Sequence, residues 1–157
     1  MFILKQDART ICVKDIMIKA VLSVDAAMTV SDVAKMMEDA KVGAIVVTEN
    51  NTPVGIVTDR DFAVKVVAHA YNPTTQVRMI MSSPLYSISP DESIRMIADF
   101  MYTRGIRKLP VIDNDKVIGI VTATDLIKQF AICTQDDLRK MYSESIARIY
   151  GHNSPYA

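Results

Sequence analysis

Two short segments concentrate the polar chemistry of this chain: Thr58-Asp59-Arg60-Asp61 and Thr122-Ala123-Thr124-Asp125, each closing a Gly-Ile-Val-Thr run. A threonine followed three residues later by a carboxylate, where an aliphatic run gives way to helical spacing, is a helix-capping arrangement. The two side chains satisfy unpaired N–H groups of the first turn, and the negative charge suits that end of the helix dipole. The same geometry has a second use. An aspartate in a first helical turn that faces a cleft can accept hydrogen bonds from both hydroxyls of a ribose, while the threonine hydroxyl and the helix N-terminus face sugar or phosphate. One side chain can serve both purposes, and recurrence of the segment favours the second.

Other chemistry is poorly supplied. His69 and His152 stand far apart in sequence and outside any HExxH spacing, and Cys12 and Cys133 form no CxxC, so neither a metal nor a disulfide framework is expected. A nucleophile beside a base, a P-loop and a GxGxxG are all missing, which leaves no constellation for an enzyme and no catalytic cofactor. Eighteen basic residues balance eighteen acidic ones, which removes a global electrostatic case for nucleic acid or anionic lipid. The opening MFILKQDART is too short for a signal-peptide core or a membrane span, so a cytoplasmic protein is expected. With 50% hydrophobic residues the chain can bury a sizeable core.

The elements that must position the two aspartates are written twice. Slid against itself until Val13 lies over Val77, the chain matches without a gap: Met17 over Met81, Ala34 over Ala98, Val47 over Val111, Asn50 over Asn114, Gly55-Ile56-Val57-Thr58 over Gly119-Ile120-Val121-Thr122, and Asp61 over Asp125. Each copy reads as strand, helix, strand, strand, helix. In the first, Val21 to Val24 is a short apolar run, and Thr29 opens a helix with Val33, Met36, Met37 and Ala40 at helical spacing. Ala44 to Thr48 and Val54 to Val57 then form a hairpin, and a helix runs from about Arg60 to Ala70. The second copy repeats this with Leu85 to Ile88, a helix from about Ser93 to Tyr102, the strands Leu109 to Ile112 and Val117 to Val121, and a helix from about Asp125 to Ala131. The expected layout is a lead-in over 1–12, repeats over 13–70 and 77–132, a linker over 71–76 marked by Pro73, and a C-terminal helix and tail over 133–157. In that last helix Leu138, Met141, Tyr142, Ile146, Ile149 and Tyr150 fall on one face. A unit of this size buries too little apolar surface to be comfortable alone, so the two are expected to pair and leave a cleft.

At this point the chain resembles a known family. A "DIM" or "MIM" segment, a helix, a "GIRKLPVID" strand and a "GIVTxxD" turn, present twice from about Val13 to Phe130, resemble two cystathionine-β-synthase (CBS) motifs. The resemblance implies an α+β fold, a tandem CBS-domain pair or pseudo-twofold Bateman module of βαβ-type repeats. It further implies clefts that bind AMP, ADP, ATP or S-adenosylmethionine, and assembly as a homodimer. It places Asp125 on the ribose, Thr122 and Thr124 near sugar and phosphate, and Ile18, Val21 and Val42 around the base. Arg107-Lys108 occupies the place of the basic pair that clamps phosphate in the regulatory γ subunit of AMP-activated kinase. For the pseudo-symmetric cleft the implied set is Thr58, Arg60 and Asp61, with Ser82, Leu85 and Ile106 opposite. There the basic pair is replaced by Gly43-Ala44, leaving Arg60, Lys41 or Lys19. A charge-assisted phosphate contact contributes about 1.5–3 kcal/mol, at least tenfold in affinity, so the Asp125 site is expected to be the tighter.

Two other readings compete with an adenine-nucleotide sensor. One is a ligand-independent dimerisation or docking module, consistent with ten methionines as an adaptable surface. The other is a nucleic-acid binder touching phosphate through Arg107-Lys108, which zero net charge opposes. A sensor with no attached effector domain would act through a partner protein.

Overall fold

In the computed structural model, which describes residues 11–131, the repeat is visible in the backbone. After a four-residue helix, α1 (Val13–Ile16), the first copy forms β1 (Ser23–Asp25), α2 (Val30–Ala40), β2 (Ala44–Glu49) and β3 (Thr52–Thr58). β1 pairs with β2 in parallel, Val24 opposite Val47, and β2 pairs with β3 antiparallel, so the sheet order is β1-β2-β3. Thr29 caps α2 by accepting from the Asp32 N–H at 3.1 Å and donating to its carboxylate at 2.8 Å. The helix buries Val30, Val33 and Met37. Ala40, expected on the apolar stripe, is exposed because the helix ends there, with Lys41 in the left-handed region at φ 54.

The second copy opens with a 3₁₀ turn, Val77–Met79, followed by α4 (Ile94–Arg104), the hairpin β4 (Lys108–Asp113) and β5 (Lys116–Thr122), and α5 (Ala123–Phe130). The strand expected over Leu85 to Ile88 contracts to one residue: Ile88 bridges Val111 in parallel, the register of Val24 on Val47. In the first copy Ala26 extends the ladder by donating its N–H to the Thr48 carbonyl at 2.9 Å. Pro90 stands at that position in the second copy and has no N–H to give. Both hairpins turn through two residues of positive φ, Asn50 and Asn51 at 49° and 62° and Asn114 and Asp115 at 47° and 62°, the twist-matched two-residue connection.

The helix expected as regular from about Arg60 is not. α3 covers only Asp59–Asp61 and passes into a π-helix over Phe62–Val67, with the Ala68 N–H bonded to the Ala63 carbonyl at 3.2 Å. Its counterpart α5 is an ordinary α-helix.

The chain forms two compact units. One comprises Ala20–Tyr86 with Asn114–Val117, the other the described residues through Lys19, Ser87–Asp113 and those from Ile118. Each has its own core. In the first, Val30, Val33, Ile45, Val57, Val77 and Ile80 are almost wholly buried. In the second, Val13, Ile97, Leu109, Val111, Val121 and Leu126 are. Val13, which opens the first copy, is therefore in the core built on the second copy's hairpin, and Val77 is in the core built on the first copy's hairpin. The backbone agrees: Val13 donates to Glu92 and Lys14 to Pro90 in one unit, Val77 to Met28 and Arg78 to Ala26 in the other.

Among the described residues no helix is long and apolar enough to cross a membrane. The expected C-terminal helix, with Cys133 and His152, lies outside the described residues.

Candidate functional site

Chain direction fixes the position of both aspartates. β3 and β5 end at Thr58 and Thr122, whose extended backbones (φ −125 and −120) turn the chain abruptly into a helix and place the third helical residue, Asp61 or Asp125, back against the strand end. Asp125 Oδ2 accepts from the Thr122 N–H at 2.9 Å and from its hydroxyl at 2.7 Å, while the Asp125 N–H donates to that hydroxyl at 3.2 Å. Asp61 Oδ2 accepts the same pair from Thr58 at 2.8 and 2.9 Å. Both threonine–aspartate pairs are thus caps.

Capping alone does not account for where the carboxylates lie. Thr29 and Asp32 make a similar cap with Asp32 exposed at the surface. Asp61 and Asp125 are each 9% exposed, the only buried polar or charged residues among those described. Burying a carboxylate carries a desolvation cost that a surface cap avoids, so these two positions hold an acceptor where water is largely excluded. Charged side chains are almost never so buried unless they are paired.

Within its own unit, Asp125 has two further features beside it. Ile18 forms an antiparallel bridge with Ile120, two residues before Thr122. The carbonyl of Arg107 accepts from the N–H of Ala123 at 2.9 Å, which holds the start of β4 beside the N-terminus of α5. Arg107 is exposed and Lys108 half-buried, and the backbone that carries Arg107 lies beside the helix end where an anion is favoured. Thr124 is exposed on the first turn. The unit carrying Asp61 repeats the plan: Ser82 bridges Ile56, and the Gly43 carbonyl accepts from the Asp59 N–H at 3.2 Å where Arg107 stands in the other copy. Arg60 and Ser82 are exposed and Leu85 half-buried.

Not every residue grouped by sequence falls in the same unit. Val21 and Val42 belong to the unit that carries Asp61, and Ile106 to the unit that carries Asp125. Val42 and Ile106 follow the helix ends of α2 and α4, donate back to Met37 and Met101, and pack against the cores of their own units.

Lys65 was not singled out by sequence reasoning. Its ammonium lies 2.8 Å from Asp61 Oδ1 and donates to the Ile80 carbonyl at 2.6 Å. The signal was available, an acid followed four residues later by a base on one helix face. At the matching place in the second copy stands Gln129.

The family model of the CBS domain matches residues 13–68 and again 77–132. This chain belongs to the CBS domain family. The CBS domain-containing protein YhcV of Bacillus subtilis is 36% identical over 114 residues, which cover 73% of this chain and 81% of that one. A putative signal-transduction protein with CBS domains from Burkholderia ambifaria is 32% identical with a TM-score of 0.68, covering 74% of this chain and 86% of that one. The CBS domain pair of protein MJ0100, solved in complex with 5′-methylthioadenosine and S-adenosyl-L-methionine, is 26% identical with a TM-score of 0.71, covering 78% of this chain and 97% of that one. CBS pairs are regulatory ligand-binding modules, and in this CBS pair the two buried aspartates stand at the same position of each repeat.

Proposed function

We propose that this CBS pair is a non-catalytic regulatory module that binds an adenosine-type ligand, with AMP, ADP or ATP as the physiological class, through the ribose diol at Asp125. The observation that carries this is a buried carboxylate whose Oδ2 is tied to Thr122 and which, among the described residues, has no cation in contact. A carboxylate offers about four acceptor positions and the threonine uses two, which leaves two for the vicinal hydroxyls of a ribose. Arg107 and Lys108 add charge for phosphate, and Ile18 supplies an aliphatic surface on the neighbouring strand end. The adenosyl ligands of the MJ0100 pair share the ribose and the base with adenine nucleotides. The ligand-bound state would be read by a partner protein.

Calorimetric titration with AMP, ADP, ATP and S-adenosylmethionine tests this, supported by thermal shift, since a ligand at a hundred times its Kd stabilises by about 2.7 kcal/mol. Asp125→Ala should abolish the tighter event and Asp61→Ala should spare it. Equal or larger loss with Asp61→Ala would reverse the ranking, and no binding of any of the four would leave a ligand-independent interaction module. One observation favours that second reading: Val64 and Val67, both in the π-helix, are 46% and 76% exposed, and Tyr71 just after it is 42% exposed.

A further inference from the structure

In both repeats the threonine N–H and hydroxyl hold Oδ2 of the aspartate, but the repeats differ at the second carboxylate oxygen. Asp61 Oδ1 faces the Lys65 ammonium at 2.8 Å, and that ammonium is anchored from its other side by the Ile80 carbonyl at 2.6 Å. The aspartate side chain is 11% exposed, so the pair is shielded from solvent on the side of the carboxylate. At the corresponding position after Asp125 the chain carries uncharged Gln129. The helix geometry differs too, because residues Phe62–Val67 between Asp61 and the end of its helix are π-helical, a local distortion that recurs at functional sites.

Counting acceptors makes the difference functional. Thr58 takes two of the roughly four lone-pair positions of Asp61 and Lys65 takes a third, so a vicinal diol finds one acceptor where it needs two, on a carboxylate whose charge is already neutralised. We propose that Lys65 is the specificity-determining residue of the first repeat: a built-in cation that occupies the diol-binding face of Asp61 and must withdraw before a ribose can be held there. This rests on the ribose-binding reading given above and goes beyond it, because it assigns the weakness of the Asp61 site to a residue outside the ligand set. The segment carrying Ile80 becomes part of the device, since its carbonyl holds the ammonium in place.

The test is calorimetric titration with AMP and with adenosine of Lys65→Gln, which gives the first repeat the residue of the second. It is made in an Asp125→Ala background so that only the Asp61 site is read. Affinity for both probes should rise about tenfold, the gain expected from restoring one charge-assisted hydrogen bond. The reciprocal variant, Gln129→Lys in an Asp61→Ala background, should weaken the Asp125 site by a similar factor, and it decides the matter if Lys65→Gln is poorly folded. Unchanged or weaker binding by Lys65→Gln, with the Asp125 site still binding AMP in Asp61→Ala, overturns the role of Lys65 and leaves the ribose reading standing. No AMP or adenosine binding by the unsubstituted protein overturns both.

Discussion

Ile18 and Ile120 exchange both backbone hydrogen bonds, the N–H of Ile18 to the Ile120 carbonyl at 2.8 Å and the reverse at 2.9 Å. Ser82 and Ile56 do the same at 2.8 and 3.1 Å in the other unit. These bridges lie two residues before Thr122 and Thr58, so the segment that leads into one copy is fastened to the strand that aims the aspartate of the other. The hairpin and its capped helix are local products of each copy, while the strand end beside the aspartate is completed from elsewhere in the chain.

The bridge requires glycine next to it. A Cβ on Gly119 would stand 2.5 Å from Met17 Sδ and 3.1 Å from the Ile18 carbonyl, and one on Gly55 would stand 2.6 Å from Met81 Sδ and 3.0 Å from the Ser82 carbonyl. Gly119→Ala and Gly55→Ala should each destabilise by about 1–3 kcal/mol, measured by urea unfolding. Because the nearest atoms belong to a flexible side chain, Met17→Ala should recover part of the Gly119→Ala loss in a double-mutant cycle, and strict additivity would disprove the contact.

Gly105 is needed for a different reason. It ends α4 at φ 64, and a Cβ there would have no neighbour within 4 Å, so Gly105→Ala meets no clash and only backbone strain. A loss of about 1 kcal/mol is expected. Lys41 takes the same conformation at the end of α2, so Lys41→Gly should be neutral or stabilising by up to about 1 kcal/mol. Thermal unfolding of the two variants side by side checks the pair.

Ile80 follows the expected linker yet is wholly buried, whereas its neighbour Met79 is 66% exposed. Ile80→Ala should cost about 2–5 kcal/mol and Met79→Ala less than about 0.5. Similar midpoints for both variants in denaturant would mean that this segment does not belong to the core.

If Arg107 and Lys108 serve a phosphate, Arg107→Ala with Lys108→Ala should weaken AMP binding tenfold or more, leave adenosine binding within about twofold, and flatten the salt dependence of AMP affinity. A parallel loss for adenosine would mean that the pair shapes the strand rather than the ligand.

Much of this was legible in the residues. The repeat, both hairpins, the capped helices and the two Thr-x-x-Asp turns are local patterns, set by alternation, helical spacing and turn residues within a few positions of one another. The π-helix after Asp61 was not legible, because i→i+5 bonding leaves no period of its own in so short a segment. Nor was the loss of the strand before α4, because only the pairing of Ile88 with Val111 shows that Pro90 falls where the ladder needs an N–H.

By itself the sequence determined the two copies, their order of elements and the identity of the acids, since each follows from spacing along the chain. Tertiary structure alone decided that Asp61 and Asp125 are buried while Asp32 is not, that Val13 and Val77 complete cores built on the opposite hairpins, and that the Ile80 carbonyl comes to anchor Lys65. Burial and long-range pairing depend on which segments return to one another after dozens of residues, and local periodicity carries no record of that return.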